Sequence, residues 1–282
     1  ELLFKRKEFD IIHIHGDWSS LMFMAFIKRI AKAKVTVFTT HGQLTNSFAH
    51  RKLLPKLLKN LDLVFSTGNE TGKKLSFLSN RDVIVQPSGI LNIFFKKRAK
   101  FARNEVFKVI SVSNLFPIKN IDMIVSIAKK MPDSIFTIVG DGPERKRLED
   151  LINDSKLTNV LLVGLKNSKE IKRYYDSSDC CILTSFAEGT PTSVLEAMAC
   201  GLPIVASNAG GLKNIVIENK NGFVIDDFDV NKFVKKLIFL KENDKLSKTI
   251  SENNIALSKK YSWNNVAISI TNKIEESFRK KN

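Results

Sequence analysis

A chain of 282 residues and 31.8 kDa is too long for one ordinary domain and comfortable for two. With 43% hydrophobic and 26% charged residues, 13 Gly, 7 Pro and 3 Cys, it cannot be a disordered chain, a collagen-like repeat or a disulfide scaffold. The net charge of +16 is uneven, 19 Lys and Arg against 7 Asp and Glu in residues 1–103 and 26 against 22 in the rest.

Short apolar runs alternate with helix-length amphipathic stretches from end to end. Strands are predicted at Asp10–His15, Val35–Thr40, Leu61–Ser66, Asp82–Gln86, Lys108–Val112, Ile135–Val139, Val160–Val163, Cys180–Leu183, Pro203–Ala206 and Gly222–Ile225. Helices are predicted at Leu21–Lys32, Glu70–Leu78, Ile121–Lys130, Glu144–Leu151, Ser168–Asp176, Thr192–Cys200 and Val230–Leu240. Runs that are apolar throughout mark strands buried on both faces, as in parallel sheets, and strand–helix alternation marks doubly wound α/β domains. The polar, basic stretch KKRAKFARNE after Phe94-Phe95 has no apolar period and reads as a linker. The expected domains are residues 1–96 and 105–261, with a polar helix over 262–282 crossing back to the first domain.

The densest local signal is SFAEGTPTSVLEAMACGLPIV, residues 185–205. A buried strand runs into a loop, Thr190 is expected at the N-cap with Pro191 at the first helical position, and Gly201 ends the helix. A helix starting at the carboxyl end of a parallel strand places its free N–H groups, around Thr192 and Ser193, where open α/β sheets bind anions. Glu188 lies in the loop and Glu196 about one and a half turns into the helix, where a carboxylate would accept from ribose or sugar hydroxyls. The other reading is a well-capped helix, with Glu188 in solvent and Glu196 in a salt bridge.

Two glutamates with seven residues between them, in this strand–loop–helix setting, resemble the EX7E motif of retaining GT-B glycosyltransferases of family 4. The likeness extends over about 160 residues in sequence order. It takes in VISVSNLFPIKNID (109–122), FTIVGDGPERKRLEDL (136–151), NVLLVGLKNSKEIKRYYDSSDCCILTSF (159–186) and GLPIVASNAGGLKNIVIENKNGFVID (201–226). DIIHIHGDW, VTVFTTHG and VIVQPSGI resemble the family's first-domain strands more weakly. The resemblance implies a GT-B architecture, two Rossmann-like doubly wound domains facing across a cleft. Relative to a full Rossmann half, about 60 residues of the first domain are expected to be missing, its first strand and Gly-rich loop among them.

The resemblance also implies roles. Glu196 would bind the donor ribose, Glu188 the donor sugar or its phosphate side, and Lys119 the diphosphate leaving group. His41 would face the transferred sugar. Gly189, Thr190, Pro191 and Thr192 would lie along the donor, with Gly210 and Gly211 giving close backbone approach. Asn114 stands where the family has an arginine, so leaving-group stabilisation would rest more heavily on Lys119. No Asp-x-Asp motif sits at a strand end, and neither a metal nor any other cofactor is expected.

The implied activity is retaining, hexosyl-type transfer from a nucleotide-diphosphate sugar, a UDP-sugar by preference, to an acceptor hydroxyl. A growing surface polysaccharide or a lipid-linked glycan is the expected acceptor. Two alternatives are a catalytically silent nucleotide-sugar-binding module and another GT-B enzyme such as a sugar-nucleotide epimerase.

His13 and His15 share one strand face and read as hydrogen-bonded strand-end residues rather than metal ligands. Gly140 and Gly142 of GDGPER follow a strand, yet Arg145 stands at the third Gly position, which argues against NAD. Cys180 and Cys181 read as core. RKLLPKLLKN spaces Lys52, Lys56 and Lys59 around four leucines, a pattern that suits an anionic membrane surface or an ordinary helix packed on its sheet. Nucleic acid is not expected, since basic and aromatic residues are not interleaved. No apolar run reaches the roughly 20 residues of a membrane span. Cytoplasmic residence, peripheral on the inner membrane face, is the expectation.

Overall fold

The computed structural model describes residues 9–16, 18–22, 27, 32–41, 52–95 and 105–281. The chain divides into two compact units, Glu1–Gly89 with Asn264–Asn282, and Ile90–Trp263.

In the first unit, β1 (Ile11–Gly16), β2 (Val35–Thr40), β3 (Leu63–Ser66) and β4 (Ile84–Val85) form an all-parallel sheet in the order β1-β2-β3-β4. Every residue of β2 is buried, as a strand covered on both faces must be. One face packs Phe38 and Val64 with Leu54, Leu58, Leu61 and Leu75. The other packs Val35, Val37 and Phe65 under Ile270, Ile274 and Phe278 of the helix Trp263–Arg279. Those three side chains recur every four residues and form the apolar stripe of an otherwise polar helix.

The short helix Leu54–Leu58 has Pro55 in its first turn, where no N–H is missed. Leu54 and Leu58 are buried and Leu57 packs beside them, leaving Leu53 exposed. This leucine face is therefore occupied by the unit's own core. Most of the helix expected at Leu21–Lys32, and the linker residues 96–104, lie outside the described residues. Among the described residues, no helix is long and apolar enough to cross a membrane.

The second unit holds six parallel strands in the order β10-β9-β8-β5-β6-β7: β5 (Phe107–Val112), β6 (Ser134–Val139), β7 (Val160–Gly164), β8 (Cys180–Leu183), β9 (Ile204–Ser207) and β10 (Gly222–Ile225). The chain winds outward from β5 to β7, returns to β8 beside β5, and winds outward the other way, as in a Rossmann domain. One sheet face packs under the helices Ile121–Lys129 and Val230–Glu242 through Phe136, Ile124 and Phe233. The opposite face packs under Thr192–Ala199 through Ile110, Val194 and Met198. Ile90 and Phe94 belong to this second core. Cys180 and Cys181 are buried, and burial pushes both thiols up, Cys181 to about 12, which leaves them unreactive packing groups.

One helix escaped the periodicity, Asp244–Ser258. Its buried residues are Ile250, Ser251, Asn254 and Ser258, a mostly polar face. Asn254 Nδ2 donates to the carbonyls of Leu202 and Asn221, both at 2.8 Å, so hydrogen bonds join the burial of Ile250 in docking the helix.

Candidate functional site

The second sheet reverses its winding between β5 and β8, and a cleft of about 320 Å³ opens there at the carboxyl ends of the strands. Ser113 and Asn114, directly after β5, line it, and the chain then turns through Pro117–Lys119 to bring Lys119 in. Asn120 ends that turn in the left-handed region, φ 51°. The loop after β8 is fastened to the turn. Thr184 Oγ1 shares its proton between the carbonyls of Lys119 at 3.1 Å and Asn120 at 2.9 Å, and the Phe186 amide donates to the Ile118 carbonyl at 2.8 Å.

This fastening sets Glu188 beside Lys119. Glu188 Oε1 accepts from Lys119 Nζ at 2.7 Å and from Ser185 Oγ at 2.6 Å, and its side chain is only 9% exposed. Glu188 is thus not a loop carboxylate in solvent. Gly210, φ +59°, lets the loop after β9 close on it, since a Cβ there would lie 2.0 Å from the Glu188 carbonyl oxygen. Gly211 is also left-handed, φ +77°. At Gly189 a Cβ would meet nothing within 4 Å, so sterics do not demand glycine there. Gly140 and Gly142 have a packing reason instead of a dinucleotide one. A Cβ at either would collide with backbone of Ser113 or Leu115.

The helix that follows starts one residue later than expected. Pro191, not Thr190, is its N-cap, in extended conformation, and Thr192 is the first helical residue. The Pro191 carbonyl accepts from Val194 at 3.1 Å. No side chain caps this end, so the first-turn amides of Thr192 and Ser193 point their partial positive charge at the cleft, which Thr190, Pro191, Thr192 and Ser193 line. Glu196 lines the same cleft one turn further in. Burial pushes its carboxyl up to about 7, against a lowering hydrogen bond from Tyr175. The salt-bridge alternative for Glu196 falls away, because the interaction it makes is with a neutral phenol.

Two residues were not singled out in the sequence, one behind the helix start and one in the cleft lining. Tyr175 is fully buried, and its hydroxyl donates to the Ser193 carbonyl at 2.9 Å. Ser113 Oγ is buried in the cleft lining without a hydrogen-bond partner. Both read as ordinary strand or helix residues until the fold sets them around the helix start.

His41 lies in the first unit, just after β2, in a histidine cluster. His15 Nδ1 and His41 Nε2 are 3.1 Å apart with their rings stacked, the tilted rings of His13 and His15 have centroids 4.1 Å apart, and His13 Nε2 bonds Thr39 Oγ1 at 2.8 Å. Burial, then the charges of His15 and His41, lower His13 to about 4. Burial and His15 lower His41. Among the described residues, no three His, Cys, Asp or Glu are arranged to hold a metal.

Six parallel strands in Rossmann order, with the Lys119–Glu188 ion pair and a helix start converging at the switch point, make this a Rossmann-like α/β unit of the GT-B class. The sequence profile of the glycosyl transferases group 1 family matches residues 93–256, and the chain belongs to that family. An uncharacterized glycosyltransferase of Methanocaldococcus jannaschii is 26% identical over 250 residues, 86% of this chain and 69% of that one. The Escherichia coli UDP-Gal:alpha-D-GlcNAc-diphosphoundecaprenol alpha-1,3-galactosyltransferase is 28% identical over 285 residues, 89% of this chain and 71% of that one. Among solved structures, Anabaena HepE in complex with UDP superposes with a TM-score of 0.84 at 21% identity, covering 95% of this chain and 79% of HepE, a likeness of fold.

Proposed function

We propose that the chain transfers a hexosyl group, with retention at the anomeric carbon, from a nucleotide-diphosphate sugar to an acceptor hydroxyl. The observation that carries this reading is the convergence of Lys119, Glu188 and Glu196 on one cleft at the start of the helix Thr192–Ala199. Negative charge grows on the diphosphate as the glycosidic bond breaks. Lys119 and the first-turn amides are placed to stabilise it without a metal. An incoming diphosphate competes with Glu188 for Lys119, which frees a carboxylate oxygen for sugar hydroxyls. Glu196, when ionised, accepts from the ribose diol. Asn114 offers a neutral donor near the phosphates. The departing phosphate takes the acceptor proton on the same face.

A UDP-sugar donor and a lipid-linked glycan acceptor are supported by the substrates named for the E. coli relative. On this reading the basic first unit docks on anionic lipid, and vesicle binding that does not weaken with salt would remove that element. The decisive experiment is calorimetric titration with UDP and with GDP, alongside Glu196→Ala. Saturable binding of one nucleotide, weakened about 1–3 kcal/mol in the variant, supports the donor site. Binding of neither nucleotide by the folded protein overturns it.

A further inference from the structure

His41 stands just past the end of β2, and the sheet itself brings a second imidazole to it. In the register of the first sheet His15 of β1 lies opposite Thr39 of β2, so the diagonal place on the same face falls to residue 41. His15 Nδ1 and His41 Nε2 meet there at 3.1 Å, with ring planes 23° apart. His15 in turn touches His13, ring centroids 4.1 Å apart, and His13 Nε2 is fixed to Thr39 Oγ1 at 2.8 Å. Thr39 is buried, whereas His15 and His41 are both exposed. Burial alone therefore does not orient the His41 ring, and its hydrogen bond to His15 does.

Two ring nitrogens at this distance share one proton, one donating and the other accepting. Which nitrogen of a neutral imidazole carries the proton is set by the bond the other makes. If His15 Nδ1 donated, both rings would carry their proton on Nδ1, the tautomer that a free histidine side chain disfavours. If His41 Nε2 donates, both rings carry it on Nε2, the tautomer that a free side chain prefers. The second arrangement is the less costly. It leaves His41 Nδ1 with a lone pair and no proton, an acceptor for a hydroxyl. Burial, then the charge of His15, lower His41 from its ordinary value, which keeps its ring neutral at pH 7 as the pairing needs.

We propose that His15 is a positioning residue, whose Nδ1 accepts from His41 Nε2 and holds the His41 ring with its Nδ1 ready to accept from a hydroxyl of the transferred sugar. This rests on the transfer reading above, with His41 at the sugar as the resemblance implies. His15 acts through His41 and touches no reacting atom. His13 and Thr39 back the His15 ring in their turn, so the His41 imidazole is the free end of a chain of contacts anchored in β2 itself. A group that meets the sugar only in one ring orientation is worth fixing before the donor arrives, because ordering it afterwards costs part of the binding energy.

The pairing is tested first without substrate, in protein carrying 15N-labelled imidazoles at about pH 8, where histidines are neutral. Long-range proton–nitrogen correlations should show His41, identified by the signals lost in His41→Gln, with a protonated Nε2 and a bare Nδ1. In His15→Phe, which keeps a ring and removes the acceptor, both nitrogens should move toward the tautomer average of a free imidazole. In His15→Asn, whose side-chain oxygen can stand in for Nδ1, they should return toward wild type. Transfer is measured beside this. With a sugar donor, kcat should fall about tenfold in His15→Phe and recover in part in His15→Asn. UDP affinity should stay the same in both, because UDP carries no sugar for His41 to meet. A His41 protonated on Nδ1, or nitrogens unmoved in a folded His15→Phe, overturns the proposal. Should His15→Phe fail to fold, the wild-type tautomer and its persistence in His15→Asn still decide. Nitrogens that move while kcat holds overturn the role at the sugar and leave the His15–His41 pairing standing. The expected tautomer in a folded protein that neither binds UDP nor transfers removes the transfer reading alone.

Discussion

The two units carry the same kind of sheet on very different foundations. The second unit has six strands and a large core on each face. Among the described residues, the first has four strands, the last only two residues long, and one of its sheet faces buries just Val35, Val37 and Phe65. That face is completed by a helix from the far end of the chain. The lesson is one of division of labour. The unit with the deeper core holds Lys119 and Glu188 on a turn and a loop pinned by hydrogen bonds and Glu196 on a helix, as precise placement of reacting groups requires. The thinner unit depends on a remote segment for its cover.

If the placement matters, the largest effect should fall on chemistry and not on folding. Lys119→Ala should lower transfer about 10²–10³-fold, roughly 3–4 kcal/mol of barrier, in steady-state assays with a sugar donor. The first unit should melt as before and the second slightly lower, because Glu188, only 9% exposed, keeps Ser185 but loses its cation. A variant with unimpaired turnover would take Lys119 out of the mechanism.

The next test is aimed at the borrowed cover. Ile274→Asp puts a carboxylate against Val35, Val37 and Phe65 and should destabilise the first unit by about 3 kcal/mol. In a calorimetric scan the transition of that unit should move down and that of the second stay in place. Movement of both together would show the two units to be one cooperative body, and the contrast drawn here would dissolve.

Acid should separate the units by sign. The His13 value is depressed from 6.5 to about 4, so between those values the unfolded chain binds more protons, and the first unit loses stability as pH falls through that window. Glu196 is raised from 4.5 to about 7, so the folded chain binds more protons there, and the second unit loses stability as pH rises from 4.5 to 7. On the donor reading proposed above, nucleotide binding through the ionised Glu196 should strengthen over that same rise. Melting at pH 5 and pH 7 checks this. His13→Gln should flatten the first trend and Glu196→Gln the second.

These contrasts were unevenly legible in the amino-acid sequence. The parallel strands of both units show as runs without charge because burial on both faces excludes charged residues, leaving CCIL wholly apolar and VTVFTT with only β-branched threonines among its apolar residues. Glu188 and Glu196 could be singled out because a strand, a Pro-marked helix start and a Gly stop frame them. Three things left no such trace. The helix Asp244–Ser258 docks through Asn254 and serines, so its buried face looks like a surface. Tyr175 looks like any helix aromatic until the fold carries it beneath Ser193 and Glu196. The Lys119–Glu188 contact joins residues 69 positions apart, a juxtaposition that topology alone creates.

The smallest expected effect concerns how the last helix is held, apart from its apolar stripe. Lys281 Nζ lies 2.6 Å from Asp62 Oδ1 and donates to the Lys34 carbonyl at 2.6 Å, tying the chain end to the start of the sheet. Burial of Asp62 opposes ionisation, yet hydrogen bonds from Lys281 and Thr36 hold its carboxyl below the usual range. Removing the lysine still leaves Asp62 with both bonds from Thr36, at 2.8 and 2.9 Å, so no bare charge is stranded. The lysine is 37% exposed, and water and salt screen the pair. Lys281→Ala should therefore cost the first unit less than about 1 kcal/mol, the deficit shrinking further at high salt. A loss as large as that of Ile274→Asp would mean that the terminal ion pair, and not the Ile270–Ile274–Phe278 stripe, supplies most of the cover.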